Sequence, residues 1–308
     1  MKSRTVLVTG ASGFIGRNLV RALIDKKYIV HVLMRSTERL WDDNVIYHPV
    51  AAGWDFFKKS DRKFDAVVHL AGEVAINQSL EAPRSRIENN LAILLSLLEA
   101  VRASDHKPLI IFSSTDRMYG RTKRRTVNET EPLFPIEPYT ASKIMGETAL
   151  QTYAALYDIP YIALRFDSVY GPGQPRSMFI SDVIQKMQAS DRITTGPLTT
   201  KKNFVYVGDA VDAILSSIAA PRTARNQAYN IGGKHASFKQ IVVALQAIFR
   251  AHGNTVAVKE EKKDLRPAKA EVKPFRLSTT KAERMLKWRA RTSLYKGLSA
   301  TIEYFHSL

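Results

Sequence analysis

The chain alternates short apolar runs with stretches of helical periodicity. Thr5-Val6-Leu7-Val8-Thr9 runs straight into Gly10 and predicts a strand. Behind it, Ile15, Leu19, Val20, Leu23 and Ile24 recur at i, i+4, i+5, i+8 and i+9, the spacing of one helix face. Further apolar runs predict strands over 28–34, 45–50, 66–70, 109–113 and 161–166, with long helices over 83–103 and 138–156. The strands are apolar along their whole length instead of alternating, so both faces of their sheet must be covered. Strands alternating with helices then give an α/β fold, a doubly wound parallel sheet. After Tyr170 the character changes. Residues 171–175 read as a loop, 177–189 as a helix, 203–207 and 228–231 as strands, and 237 onward as helices with a lysine-rich stretch over 259–273. The expected organisation is a sheet domain over 1–170, completed by strands within 203–232. A smaller C-terminal α+β lobe takes up most of 171–308.

Composition narrows the classes. The 308 residues are 45% hydrophobic and 24% charged, ordinary for a globular chain. There is no cysteine, which excludes Cys-ligated zinc, iron–sulfur clusters and thiol catalysis. No uncharged apolar run approaches the roughly 18 residues of a spanning helix. The apolar run behind Met1-Lys2-Ser3-Arg4 is too short for a signal-peptide core, so a soluble cytoplasmic protein is expected. The net charge is +17 and is uneven: residues 201–308 carry 20 basic and 8 acidic side chains. A basic lobe attracts anions, such as a phosphorylated small substrate, nucleic acid or an acidic surface, although a solvated surface also accounts for such a bias.

Chemistry starts at Gly10-Ala11-Ser12-Gly13-Phe14-Ile15-Gly16, where glycines stand at i, i+3 and i+6 between a strand and a helix. Gly10 permits the tight turn. Gly13 lets backbone N–H groups approach a pyrophosphate at the helix N-terminus. Gly16 allows close packing of helix on strand. An acid at the end of the second strand would bind the ribose hydroxyl of NAD, but the chain has Met34-Arg35-Ser36 with Arg39 one turn on. An arginine beside a hydroxyl suits a 2′-phosphate, so NADP is favoured and NAD stays possible.

Tyr139-Thr140-Ala141-Ser142-Lys143 places a phenol and an ammonium four residues apart on one helix face. The ammonium is expected to lower the phenol's pKa and make Tyr139 a usable base. Hydroxyls follow the strand over 109–113 at Ser114 and Thr115, with Asp116 and Arg117 next. The carboxyl end of a strand is where such sheets bind ligands.

The chain resembles an extended short-chain dehydrogenase/reductase of the nucleotide-sugar epimerase/dehydratase family, with a Rossmann sheet. The matching pieces run in order from Thr9–Gly16 through His69-Leu70-Ala71-Gly72, then Ser79 with Pro83 and Asn90, to Ser114–Gly120 and Tyr139–Lys143. They continue with Leu164-Arg165, Val169-Tyr170-Gly171-Pro172, Phe204-Val205-Tyr206-Val207 with Asp209, and Asn230-Ile231-Gly232. The resemblance implies that Tyr139 takes the proton of a sugar hydroxyl while hydride moves to the nicotinamide. Thr115, or its neighbour Ser114, would hydrogen-bond that hydroxyl, and Lys143 would hold the nicotinamide ribose. Leu70, Ala71, Gly72 and Asn90 would line the cofactor beside the glycine loop.

Three departures bear on the reaction. The family's 4,6-dehydratases carry Thr-Asp-Glu where this chain has Thr115-Asp116-Arg117, and arginine accepts no proton. Asp116, the acid partner, is retained, and an Asp116–Arg117 ion pair at the rim is the plainer reading. Ser168 replaces a common substrate-binding asparagine. Lys202 stands where an arginine commonly precedes the Phe-Val-Tyr-Val strand, while Arg266-Pro267 matches a later diphosphate-clamping arginine. The resemblance implies a 4-epimerase of a nucleotide-diphosphate hexose acting through a 4-keto intermediate. A dehydratase and an NADPH-dependent keto-sugar reductase are the enzymatic alternatives. A non-catalytic RNA-binding member of the fold is the third, and nucleic acid is disfavoured because no aromatic-interleaved basic stripe is present. The family's helix pairing and the apolar segment 91–98 lead us to expect a homodimer.

Overall fold

The computed structural model describes residues 3–35, 40–41, 44–54, 56–57, 63–73, 81–261 and 273–307. Seven parallel strands form the main sheet: β1 (Thr5–Thr9), β2 (Ile29–Met34), β3 (Val45–Pro49), β4 (Ala66–His69), β5 (Leu109–Thr115), β7 (Tyr161–Phe166) and β11 (Gln227–Ile231). A short strand β6 (Thr126–Val127) lies apart from them. The spatial order is β11-β7-β5-β4-β1-β2-β3. Chain direction along the sheet therefore reverses between β1 and β4, and the crevice at that switch point is where doubly wound sheets take ligands.

The helices α1 (Phe14–Asp25), α2 (Pro83–Arg102), α3 (Pro138–Tyr157) and α5 (Val207–Ile218) cover the sheet. One core joins β1, α1 and α5 through residues such as Val8, Leu19, Ile214 and Ile231. The opposite face packs Leu94, Leu97 and Leu98 of α2 and Leu150 of α3 on Ile110 and Phe112. Helix α3 ends at Asp158, which adopts φ +54° and turns the chain back into β7.

A second core lies outside the sheet. It gathers α4 (Phe179–Ala189), α6 (Phe238–Ala251) and α8 (Leu294–His306) around Ile184, Leu245 and Leu298. Three small sheets lie beside it: β8 (Val169–Tyr170), β10 (Lys201–Tyr206) and β12 (Lys234–Ser237) form one, β9 (Arg192–Thr195) and β13 (Ala257–Glu260) a second, and β14 (Arg276–Leu277) pairs with β6 in the third. The chain weaves between the two cores. It returns to the first through β11 and through α7 (Thr280–Leu286) with Trp288, whose indole N–H donates to the Asp209 carbonyl at 2.8 Å. The Asp209 carboxylate accepts the N–H groups of Arg291 and Thr292. The motif acid Asp209 thus anchors the C-terminal segment. Among the described residues no helix is long and apolar enough to cross a membrane.

Candidate active site

The glycine turn lies at the switch point. Gly10 adopts φ +70°, and a Cβ there would stand 2.6 Å from the Ala71 nitrogen. A Cβ on Gly16 would stand 2.2 Å from the Gly10 carbonyl oxygen. The turn after β1, the first turn of α1 and the segment after β4 are therefore in backbone contact, and only glycine fits. Thr9 adds a stitch: its hydroxyl accepts the Ala71 N–H at 3.3 Å and bonds His69 Nδ1 at 3.0 Å. Burial lowers the His69 pKa to about 3, so its imidazole is neutral. Gly13 is the N-cap of α1 and no side chain caps the helix, which leaves backbone donors at Phe14 and Ile15 facing the turn. Ser12 is exposed, and Arg35 is exposed at the end of β2. Ser36 and Arg39 lie outside the described residues, as do Ser79, Arg266 and Pro267.

Across the crevice, Gly72 adopts φ +156°, and a Cβ there would meet Asn90 Oδ1 at 3.3 Å and Lys143 Nζ at 3.6 Å. Asn90 accepts the Glu73 N–H at 2.8 Å and donates to Ser142 Oγ at 3.1 Å, so it ties the loop after β4 to α3. A bare glycine turn facing free helix N–H groups, continuous with a side-chain-free edge beside a buried lysine, fits a dinucleotide.

Tyr139, Thr115 and Lys143 meet at the carboxyl edge of β5. All three are buried. The Thr115 hydroxyl accepts the Arg117 N–H at 3.3 Å, and its side chain acts on the Tyr139 phenol, favouring the ionised form. Lys143 Nζ donates to the Ser113 carbonyl at 2.7 Å and lies 5.8 Å from the centre of the Tyr139 ring. Burial lowers the Lys143 pKa to about 8, against the pull of Glu147.

The expectation that Lys143 acidifies Tyr139 is corrected here. The phenol's pKa is raised, first by burial and then by the acidic side chains of Glu137 and Asp116, with Arg117 opposing. The ammonium is engaged by the Ser113 carbonyl, and the phenolate would lose more hydration than its neighbours return.

Ser114 faces a separate network. Its hydroxyl donates to Glu147 at 2.6 Å, and Glu147 takes a two-point contact from Arg165 at 3.0 and 2.6 Å. Arg165 also reaches the Tyr119 hydroxyl, which donates to Asn230 at 2.6 Å. This network holds α3 against β5 and β7 and so fixes the helix that carries Tyr139 and Lys143.

Asp116 and Arg117 each have a more distant partner. Arg117 Nε donates to Glu137 Oε1 at 2.8 Å. Asp116 is buried and hydrogen-bonded to Asp167; burial first, then Asp167, holds it well above the ordinary carboxylate range. Asp167 is the acceptor of the pair, because four donors already converge on it: the Ser168 N–H and hydroxyl at 2.6 and 3.0 Å, and the Asn203 N–H and side-chain amide at 2.9 and 2.6 Å. Lys202 is part-buried on β10, and its charge reaches Asp116. Ser168 and Lys202 thus both adjoin the acid pair. Sequence reading overlooked Glu137 and Asp167. The available signal was a single acid two residues before the tyrosine and another directly after β7.

A switch-point glycine turn facing a buried tyrosine–lysine–threonine group defines a dinucleotide-dependent enzyme of the short-chain dehydrogenase/reductase type. The chain belongs to the NAD-dependent epimerase/dehydratase family, whose family model matches residues 6–232. It is 29% identical to a putative UDP-glucose 4-epimerase of Methanocaldococcus jannaschii, covering 97% of each chain. It is 30% identical to a UDP-glucose 4-epimerase of Cyamopsis tetragonoloba over 94% of this chain and 92% of that one. Among solved structures, the UDP-glucose 4-epimerase of Thermotoga maritima with UDP-glucose superposes with a TM-score of 0.85 at 28% identity, covering 98% of this chain and 99% of that one. The UDP-glucose 4-epimerase of Thermus thermophilus, in complex with NAD, gives 0.83 at 26% identity over the same shares.

Proposed function

We propose that the protein is a nucleotide-sugar 4-epimerase with a uridine-diphosphate hexose as substrate. The observation that carries this reading is the convergence of Tyr139, Thr115 and Lys143 beside the Gly10–Gly16 turn. Relatives with this activity along nearly their whole length support it.

A bound NAD-type dinucleotide supplies hydride acceptance from the sugar carbon and return to it. Gly10, Gly13, Phe14, Ile15 and Gly16 would hold its diphosphate, and Leu70, Ala71 and Gly72 its nicotinamide half. Tyr139 takes the proton of the sugar hydroxyl as the carbonyl forms and gives it back as the carbonyl is reduced. Thr115 would hydrogen-bond that hydroxyl from the carboxyl end of β5, beside the phenol. Lys143 would hold the nicotinamide ribose. Burial of all three excludes water from the keto stage. Ser168 and Lys202 would face the substrate beside the acid pair. Ser114 serves this site through Glu147 and α3, away from the sugar.

Incubation with UDP-glucose, with no cofactor added, is expected to yield UDP-galactose. Tyr139→Phe is expected to lower the rate by about 10²–10⁴-fold, the usual contribution of a general acid–base group. Turnover only with stoichiometric NADPH would replace the epimerase by a keto-sugar reductase.

The cofactor is the finer question. Arg35 favours a 2′-phosphate, whereas the solved Thermus relative binds NAD. Our reading is NAD as the resident cofactor, with Arg35 against the adenosine. Mass spectrometry of the purified protein is expected to find NAD. Retained NADP, together with its loss in Arg35→Asp, would reverse the assignment.

The outer faces of α2 and α3 also fit a homodimer contact, with Ile93 and Met145 exposed on them.

A further inference from the structure

The contacts that join the two cores include one from a side chain that the proton transfer does not use. Asn18 lies on α1 one turn beyond Phe14 and is half-buried. Its amide donates to two carbonyls: that of Phe14 at 3.0 Å, within the helix, and that of Pro172 at 3.1 Å, 154 residues along the chain. Pro172 belongs to the Gly171-Pro172-Gly173 turn that follows β8. The turn lies against the start of α1: a Cβ on Gly173 would stand 3.8 Å from Asn18 Nδ2 and from Phe14 Cδ2, and 3.9 Å from the Tyr304 hydroxyl of α8. Gln174, which is buried, fixes the other side of the turn. Its backbone N–H donates to the Gly171 carbonyl at 3.1 Å and its side-chain amide to the Val169 carbonyl at 3.2 Å, while its side-chain oxygen accepts the Ser181 hydroxyl of α4 at 3.0 Å. Helix α1 packs in the first core through Leu19 and Val20, and α4 in the second through Ile180 and Val183. The Asn18 amide therefore ties the helix whose first-turn backbone donors face the glycine turn to a turn anchored in the other core. Strand β8 carries that turn directly from Ser168, beside Asp167.

We propose that Asn18 is a positioning residue: its bond to Pro172 couples the seat of the dinucleotide on α1 to the seat of the nucleotide sugar beside Ser168. This rests on the epimerase reading and adds to it that the two ligands tighten one another. The Phe14 and Ile15 N–H groups, once they hold a diphosphate, fix the first turn of α1. Asn18 bonds that turn and Pro172 with one amide, so the end of β8 is fixed with it. A ligand that arrives second then finds the joint already ordered and binds at less cost. Linkage makes the effect reciprocal, so the factor by which one ligand tightens the other is the same in both directions.

The test follows the exchange of resident NAD for deuterium-labelled NAD by mass spectrometry, with and without saturating UDP, in wild type, Asn18→Leu and Asn18→His. Leucine matches asparagine in shape and brings no donor, whereas histidine keeps an N–H at the δ position. In wild type, UDP should slow the exchange by at least about fivefold, the lower end of ordinary coupling between two sites. In Asn18→Leu that factor should fall to about twofold or less, and Asn18→His should bring it back above about threefold. A purely structural role would speed the exchange equally with and without UDP and leave the factor at its wild-type value. That result, a histidine variant no better coupled than the leucine one, or a wild type that binds UDP without slowing the exchange would overturn the proposal. Failure of the epimerase reading looks different: wild type would then neither bind UDP nor convert UDP-glucose.

Discussion

At the scale of single residues, the site is organised by pairing charges that would be ruinous alone. Arg117 and Glu137 are buried together, and burial first, then Asp167, holds the Asp116 carboxyl well above the ordinary carboxylate range. A carboxyl whose pKa is raised in the folded state binds its proton more tightly there than in the unfolded chain. The stability it contributes is complete below the ordinary carboxylate range and is lost as pH rises through the raised value. Asp116→Asn preserves a donor toward Asp167 and cannot ionise. Its melting temperature should therefore fall less than that of wild type between pH 5 and pH 9, ~5 to ~9 being the span above the unfolded carboxylate value. Parallel melting curves for the two proteins across that span would show that Asp116 is not the linked group. The contacts of Asp116 and Arg117 were hidden in the sequence for a physical reason. Neighbouring opposite charges suggest a local pair, but each side chain leaves the turn after β5 in its own direction, and Arg117 meets a partner 20 residues away. Pairing of buried charges is decided by tertiary placement, which has no periodicity to read.

At the scale of elements, most of the fold was legible. Strands buried on both faces cannot alternate polar and apolar residues, so β1, β2, β4, β5 and β7 stood out as apolar runs, with glycines marking the turn into α1. The chemistry of α3 was legible as the Tyr139–Lys143 spacing, but its anchoring was not. That anchoring is the Ser114–Glu147–Arg165 network, which joins three elements. Glu147 also supports the charge on Lys143, whose pKa is lowered to about 8. Two effects are expected of Glu147→Gln. Arg165, with 6% of its side chain exposed, would be left as a buried unpaired cation, at a cost of about 3–5 kcal/mol in denaturant unfolding. The pKa of Lys143, about 8, should fall further, because the carboxylate that favours the ammonium is gone, and an NMR titration of the lysine side chain reads it. An unchanged Lys143 titration would mean that Glu147 does not support its charge.

At the scale of the whole molecule, two cores share one chain that crosses between them, so β10 and the turn after β7 are held against the seven-stranded sheet. Asn203 is the join. Its amide donates to Asp167 and to the Phe275 carbonyl, and its oxygen accepts from Leu277 N–H and bonds His235. Most of the sheet's apolar surface is spent within the chain, yet α2 and α3, packed on each other, keep apolar side chains outward: Ile93 is 37% exposed and Met145 45%. Leu91 and Leu95 beside them are only half-buried. Scattered exposed apolar groups are ordinary on a monomer, but a contiguous apolar stripe on two adjacent helices marks an interaction face. A two-fold copy of the same face would give a four-helix contact that closes on itself and leaves both crevices open. Light scattering at micromolar concentration should then return twice the 34.6 kDa chain mass. The double variant Ile93→Asp/Met145→Asp should return the single mass. Its chain should remain folded, because both side chains project away from the cores, and surface changes of this kind usually shift stability by about 0.5 kcal/mol or less. A wild type that is already monomeric under these conditions would refute the interface outright. A variant that stays dimeric would move the contact to another face of the molecule.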